Sequence, residues 1–206
     1  MSKCQESPGR FFADPFFIYF QRGVVYFFLQ EREKAVEDWT RSLAIHPRWV
    51  RSYRLRAEAL AELGRFDEAM ADFNRAIELD PQLTGAHRER GKLLFYAGQL
   101  REAWRDLGVE LELNPDDVEA FFYRGSVSYV TPDPIGAVSH YNMVIAAPPG
   151  EFTTRVYIRR GVANLQLNNV EQARADLIMA SKLEPNHREL PDAVLFFRQI
   201  AGENPF

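Results

Sequence analysis

An arginine followed by a small residue returns along this chain at a nearly fixed interval. The tripeptides QRG ending at Gly23, LRA at Ala57, ERG at Gly91, YRG at Gly125 and RRG at Gly161 are spaced 34, 34, 34 and 36 residues apart. Twelve residues after each small residue stands an alanine: Ala35, Ala69, Ala103, Ala137 and Ala173. Four further on comes a large apolar side chain: Trp39, Phe73, Leu107, Tyr141 and Leu177. Twenty-four after each small residue lies a proline: Pro47, Pro81, Pro115, Pro149 and Pro185. Five copies in register specify an array of like units, each too small to bury its apolar face alone.

Within the second copy, Tyr53, Ala57 and Leu60 share one helical face, and Ala69, Phe73, Ala76 and Ile77 share another. The small residues Ala57 and Ala69 are expected where the two helices cross. LGR at 63–65 makes the turn and LDP at 79–81 ends the second helix. The period and these landmarks resemble the tetratricopeptide repeat, a 34-residue helix-turn-helix unit, over residues 16–187. The resemblance implies an all-α, right-handed superhelical solenoid of five units plus a C-terminal capping helix. The units are expected at 16–49, 50–83, 84–117, 118–151 and 154–187, after an N-terminal arm at 1–15 and before a cap and tail at 188–206. In unit four TPDPIG replaces the usual glycine turn, with Asp133 as N-cap and Pro134 in the first helical turn. APPGEFTT adds two residues before unit five.

The stretch FFIYFQRGVVYFFL, residues 16–29, is too short to span a bilayer, which takes about 20 apolar residues, and Arg22 interrupts it. The start of the chain lacks the apolar run of a secretory signal, and the single cysteine, Cys4, allows no internal disulfide, so a cytoplasmic location is expected. The formal net charge of −4 gives no general attraction to nucleic acid or anionic lipid. His46, His87, His140 and His187 are scattered without metal spacing, and no catalytic motif occurs, so neither enzyme activity, metal nor cofactor is expected.

The arginine before each small landmark recurs in all five units, as Arg22, Arg56, Arg90, Arg124 and Arg160. Sixteen residues later stand Asp38, Asp72, Asp106, His140 and Asp176. Four Arg–Asp combinations predict a structural ladder of ion pairs, with Arg124 left to find another partner. A charged hydrogen bond of this type is worth about 1.5–3 kcal/mol, less where solvated.

In the family that the repeats resemble, extended peptides lie along the concave face of the first helices. The places that commonly point there hold Phe20, Phe27, Arg54, Arg88, Lys92, Phe95, Phe122, Tyr123, Arg155 and Arg159 in this chain. Aromatic rings beside cations suit a peptide with apolar anchors and carboxylates. The resemblance therefore implies a non-enzymatic protein–protein interaction scaffold or adaptor, holding an acidic and partly apolar peptide. The family's carboxylate clamp for chaperone tails is not reproduced. Arg88, Arg155 and Arg159 match its cations in kind, but Lys92 and Tyr123 stand where it has asparagines. Two other readings compete: self-association as a homodimer through Phe17, Phe20, Phe27 and Phe28, and RNA stacking on the aromatic residues, which the acidic balance disfavours.

Overall fold

The computed structural model describes residues 14–206, which contain eleven helices and no strand. The helices are Pro15–Phe28 (α1), Arg32–Ile45 (α2), Val50–Glu62 (α3), Phe66–Leu79 (α4), Ala86–Tyr96 (α5), Leu100–Leu113 (α6), Val118–Val130 (α7), Pro134–Ala146 (α8), Thr153–Gln166 (α9), Val170–Leu183 (α10) and Leu190–Ala201 (α11). Each repeat supplies one pair of helices, and α11 follows the fifth pair. Of the expected arm at 1–15, only Asp14 and Pro15 fall among the described residues; Cys4 lies outside them. None of the described helices is long and apolar enough to cross a membrane.

Helix ends follow local chemistry. The Asp14 carboxylate accepts from the Phe16 amide at 3.0 Å, with Pro15 at the first helical position of α1. Asp117 caps α7 by accepting from Ala120, and Asp133 caps α8 by accepting from Gly136 at 3.0 Å, again followed by proline. The turn inside the second hairpin needs a left-handed backbone, φ +75° at Gly64. Gln30 and Asn168 take the same conformation in the first and fifth hairpins.

The chain divides into two compact units, with the boundary between Leu93 and Leu94. In the first, α1 packs on α2, α2 on α3 and α3 on α4. Its core holds Phe20, Ala35, Val36, Trp39, Ala57, Leu60, Ala69 and Phe73. Ring size and backbone approach are matched. Trp39 is fully buried and lies so close to α1 that a Cβ on Gly23 would stand 2.7 Å from its Nε1. The smaller ring of Phe73 shares its hairpin with Ala57, and both are fully buried. Trp39 Nε1–H donates to the Phe20 carbonyl at 3.2 Å, so the indole brings no unsatisfied donor into the core.

In the second unit α6 packs on α7, α7 on α8, α8 on α9 and α9 on α10, while α11 covers α9 and α10. Ile158, Leu165, Ala173, Leu177, Ala180, Leu190, Ala193 and Phe197 close its C-terminal end. Tyr141 is fully buried against Gly125, and its hydroxyl donates to Ser126 Oγ at 3.4 Å.

The recurring arginines join helices in pairs. Arg22 donates through Nε and Nη2 to Asp38 at 2.6 and 2.7 Å, and Arg56 binds Asp72 at the same two distances. Arg160 binds Asp176 at 3.0 and 2.5 Å. The third guanidinium nitrogen reaches back to the second helix of the preceding repeat. Arg56 Nη1 donates to Thr40 at 2.9 Å, Arg90 Nη1 to Asn74 at 2.8 Å and Arg160 Nη1 to Asn142 at 2.5 Å. Where both arms are made, one guanidinium therefore fixes two successive second helices. A residue type that accepts a hydrogen bond stands sixteen positions before Arg56 and Arg90, and eighteen before Arg160 across the insertion, a spacing present in the sequence but without meaning until the stacking of hairpins is known.

Candidate peptide-binding surface

Burial divides the aromatic residues of the first unit. Phe16 and Phe20 are buried, with Phe20 packed edge-on to Trp49 at 5.9 Å between ring centroids. The Phe20 ring is thus part of the core. Phe27 is half-buried, 5.8 Å from Trp39, and the Arg32 guanidinium lies 3.9 Å over its ring. Phe17 is half-buried, whereas Phe28 is 79% exposed.

The cations of this unit are matched by neighbouring acids. Arg54 pairs with Glu58 one turn along α3. Arg88 donates to Glu89 at 3.0 Å, and Lys92 lies 3.7 Å from the same carboxylate. Burial raises the Glu58 pKa, Arg54 and Arg88 oppose that shift, and Glu89 adds to it. A row of alternating charges on this face has its own internal partners.

The second unit gathers five rings. Phe95, Tyr96 and Tyr123 stand within 5.5–6.0 Å of one another, with the Tyr96 and Tyr123 hydroxyls 3.2 Å apart. Phe122 lies edge-on to Tyr123 at 5.1 Å. Phe122 and Tyr123 are themselves buried, because Phe152 stacks over Phe122 at 4.1 Å with the rings 15° from parallel. Tyr96, 67% exposed, and the half-buried Phe95 and Phe152 carry the accessible ring area. Phe152 belongs to the two-residue insertion, outside the repeat register, so position counting had no way to assign it to this cluster.

Arg155 and Arg159 stand one turn apart on α9 and converge on Glu189, at the start of α11. Arg159 binds both carboxylate oxygens at 3.0 Å, and Arg155 Nε lies 3.5 Å from one of them. Arg159 Nη1 also donates to Ser126 Oγ at 3.2 Å. The arginine thereby links α7, α9 and α11. Burial alone would raise the Glu189 pKa, but hydrogen bonding and charge from Arg159, with charge from Arg155, hold it below the ordinary glutamate value. Burial likewise opposes the charge on Arg159, and Glu189 and Tyr141 together more than restore it. Beside this contact opens a concavity of about 660 Å³ between α7, α9 and α11. Tyr129, Ile158, Val162 and Phe196 give it apolar walls, while Arg159, Arg188, Glu189, Asp192 and Gln166 supply polar groups. Glu189 lies in the cap, thirty residues from Arg159, and was not legible as its partner. No group of three or more histidine, cysteine, aspartate or glutamate side chains among the described residues is placed to hold a metal ion.

Sequence profiles of the tetratricopeptide repeat match residues 50–83 and 88–152. No curated protein sequence matches the chain. Several solved structures share its fold. YrrB, described as a tetratricopeptide-repeat protein with an unusual peptide-binding site, aligns with a TM-score of 0.73 at 22% identity, covering 85% of this chain and 89% of that one. MamA residues 41 to the end from Desulfovibrio magneticus RS-1 aligns with a TM-score of 0.74 at 17% identity, covering 85% and 98%. A thermophilic tetratricopeptide-repeat protein from Thermus thermophilus, TTC0263, aligns at 0.58 and 16%, covering 91% and 100%. With its helix pairs, its landmark residues and these matches in agreement, the chain belongs to the tetratricopeptide repeat family, whose members serve as protein–protein interaction scaffolds.

Proposed function

We propose that the second unit binds an extended peptide, setting an acidic side chain against Arg155 and Arg159 and an apolar one against the rings around Phe152. The observation that carries this reading is the convergence of two arginines on one carboxylate beside an aromatic cluster. Arg155 lies 6.0 Å from the Phe122 ring, so the charged and aromatic parts are contiguous. Bidentate arginine contacts favour a planar carboxylate, and rings supply contact area at low entropic cost. Glu189 and Phe152 already hold the two places in cis. An acidic ligand therefore competes with Glu189 for the arginine pair.

A fluorescently labelled peptide of alternating glutamate and leucine tests this by anisotropy. Glu189→Gln is expected to tighten binding about fivefold by removing the competing charge, and Arg155→Ala to weaken it about tenfold. Arg155 makes only a long contact to Glu189, so its loss leaves the cap in place. No binding by either the parent or Glu189→Gln, or unchanged binding by Arg155→Ala, overturns the reading. The competing pair also gives a pH dependence. The folded pKa of Glu189 lies below its unfolded value, so its stabilisation of the cap is complete above the ordinary glutamate range. It is lost as pH falls through the folded pKa.

One observation favours self-association as a second reading. Ile18, Val25, Phe28 and Leu29 are all exposed along one side of α1. Light scattering is expected to give a mass above that of a single chain, reduced to one chain by Val25→Glu with Phe28→Glu. A single-chain mass for the parent protein removes this reading.

A further inference from the structure

Arg124 differs from the other ladder arginines in having lost both of its partners. His140 stands where Asp38, Asp72 and Asp176 bind the equivalent arginines. Sixteen residues before it, where Arg56 and Arg90 reach Thr40 and Asn74, stands Gly108. The guanidinium lies instead on the face of Trp104, 4.1 Å from the ring centroid. Its Nε is buried with no hydrogen-bond partner among the described residues, and no carboxylate there reaches ion-pair distance. Burial pushes its pKa down, and Glu112 opposes this from beyond contact range.

Gly108 lies against the guanidinium. A Cβ added there would stand 3.6–3.7 Å from Arg124 Cζ, Nη1 and Nη2, ordinary contact distance, so the glycine leaves a methyl-sized notch beside the group. The His140 ring stands edge-on to Trp104, 5.3 Å between centroids. Its Nδ1 must donate to the Gly136 carbonyl, at 2.6 Å, because a carbonyl only accepts. Burial, with help from the Arg124 charge, keeps this imidazole's pKa below the usual value, so it supplies no second cation. A planar cation resting over an indole and lacking its own counter-charge is suited to a planar anion. The four other rungs carry aspartate at this place in sequence, and Arg22, Arg56 and Arg160 bind theirs in bidentate fashion.

We propose that Arg124, with Trp104 and the Gly108 notch, is a socket for an aspartate or glutamate side chain of a protein partner, which completes in trans the rung that the other repeats complete in cis. The socket involves α6, α7 and α8 and uses none of the residues assigned to the peptide surface. It stands or falls independently of that reading.

The test follows the arginine Nε–H resonances of the intact protein during titration with Ac-Ala-Glu-Ala-NH2, with Ac-Ala-Gln-Ala-NH2 and with inorganic phosphate at constant ionic strength. The Arg124 resonance is expected to shift saturably with the glutamate peptide and not with the glutamine peptide, while those of Arg56 and Arg160 stay still. His140→Asp supplies the missing carboxylate internally; it is expected to weaken the response about tenfold and to raise the melting temperature. Gly108→Asn fills the notch and serves as a second closure should His140→Asp fold poorly. An unmoved Arg124 resonance, an equal response to the glutamine peptide, or a full response in both closed variants overturns the proposal. A stronger response to phosphate than to the glutamate peptide overturns the assignment to a carboxylate partner.

Discussion

Asp72→Ala is expected to destabilise the first unit by about 3 kcal/mol, at the lower end of the roughly 3–5 kcal/mol associated with breaking a buried ion pair. Asp72 is buried and receives both Nε and Nη2 of Arg56, whose side chain is 19% exposed. Removing the carboxylate leaves the guanidinium with Thr40 as its remaining partner in the pair of second helices. Arg56 retains some access to water, which keeps the loss below the upper end of that range. The comparison with His140→Ala isolates the cause. That substitution removes a half-buried ring from the rung where no ion pair exists, and its cost is expected to be about 1 kcal/mol or less. Replacing both partners, Arg56→Met with Asp72→Leu, is expected to recover most of the loss, because neither charge then remains buried alone. Urea denaturation followed by circular dichroism measures all three. A loss for Asp72→Ala no larger than for His140→Ala would show the ladder to be ornamental.

Gly125→Ala is expected to destabilise the second unit by about 2 kcal/mol, although alanine is the better helix former by about 1 kcal/mol. The new Cβ would lie 2.7 Å from two carbons of the fully buried Tyr141 ring and 3.3 Å from His140 Cβ. A ring edge held on both sides has no low-energy way to retreat. Gly161→Ala provides the opposite sign. There the nearest atoms are Asp176 Cβ at 3.3 Å and the Ala173 carbonyl oxygen and Leu177 Cγ, each at 3.4 Å, so a shift of a few tenths of an ångström admits the methyl and helix propensity gains. Thermal unfolding is expected to show a lower midpoint for Gly125→Ala and an unchanged or higher one for Gly161→Ala. Tyr141→Leu in the Gly125→Ala background should recover part of the loss. Equal losses at the two glycines would dissociate glycine choice from the size of the facing side chain.

The helix pairs and their turns were legible from the repeat, as was the placing of small residues where helices cross; that a small residue of one helix faces the large ring of the other came from the structure. Gly23 before Trp39 and Ala57 before Phe73 occupy the same places in successive copies, so one copy instructs the reading of the next. The Arg–Asp rungs were legible for the same reason: sixteen residues separate two places in one hairpin, and a hairpin has little freedom in how its helices meet. The reach of Arg56, Arg90 and Arg160 toward Thr40, Asn74 and Asn142 carried a comparable period, but it required knowing how neighbouring hairpins are stacked.

Sequence alone determined the family, the eleven-helix order and the Arg22–Asp38, Arg56–Asp72 and Arg160–Asp176 rungs, because those follow from local periodicity repeated along the chain. Tertiary structure decided which chemically suitable groups remain available. Phe20 and Phe28 are both phenylalanines of α1, yet one packs on Trp49 and the other faces outward. Arg159 was legible as a cation for a carboxylate, but not the presence of Glu189 on it. Phe152 covers Phe122 from an insertion, and Arg124 rests on Trp104 because two partners are missing together. Glu189 and Phe152 belong to segments that lie beyond the repeat or break it, and a period carries no information about residues outside its own register; Arg124 departs from the ladder because the partners inside its register are replaced.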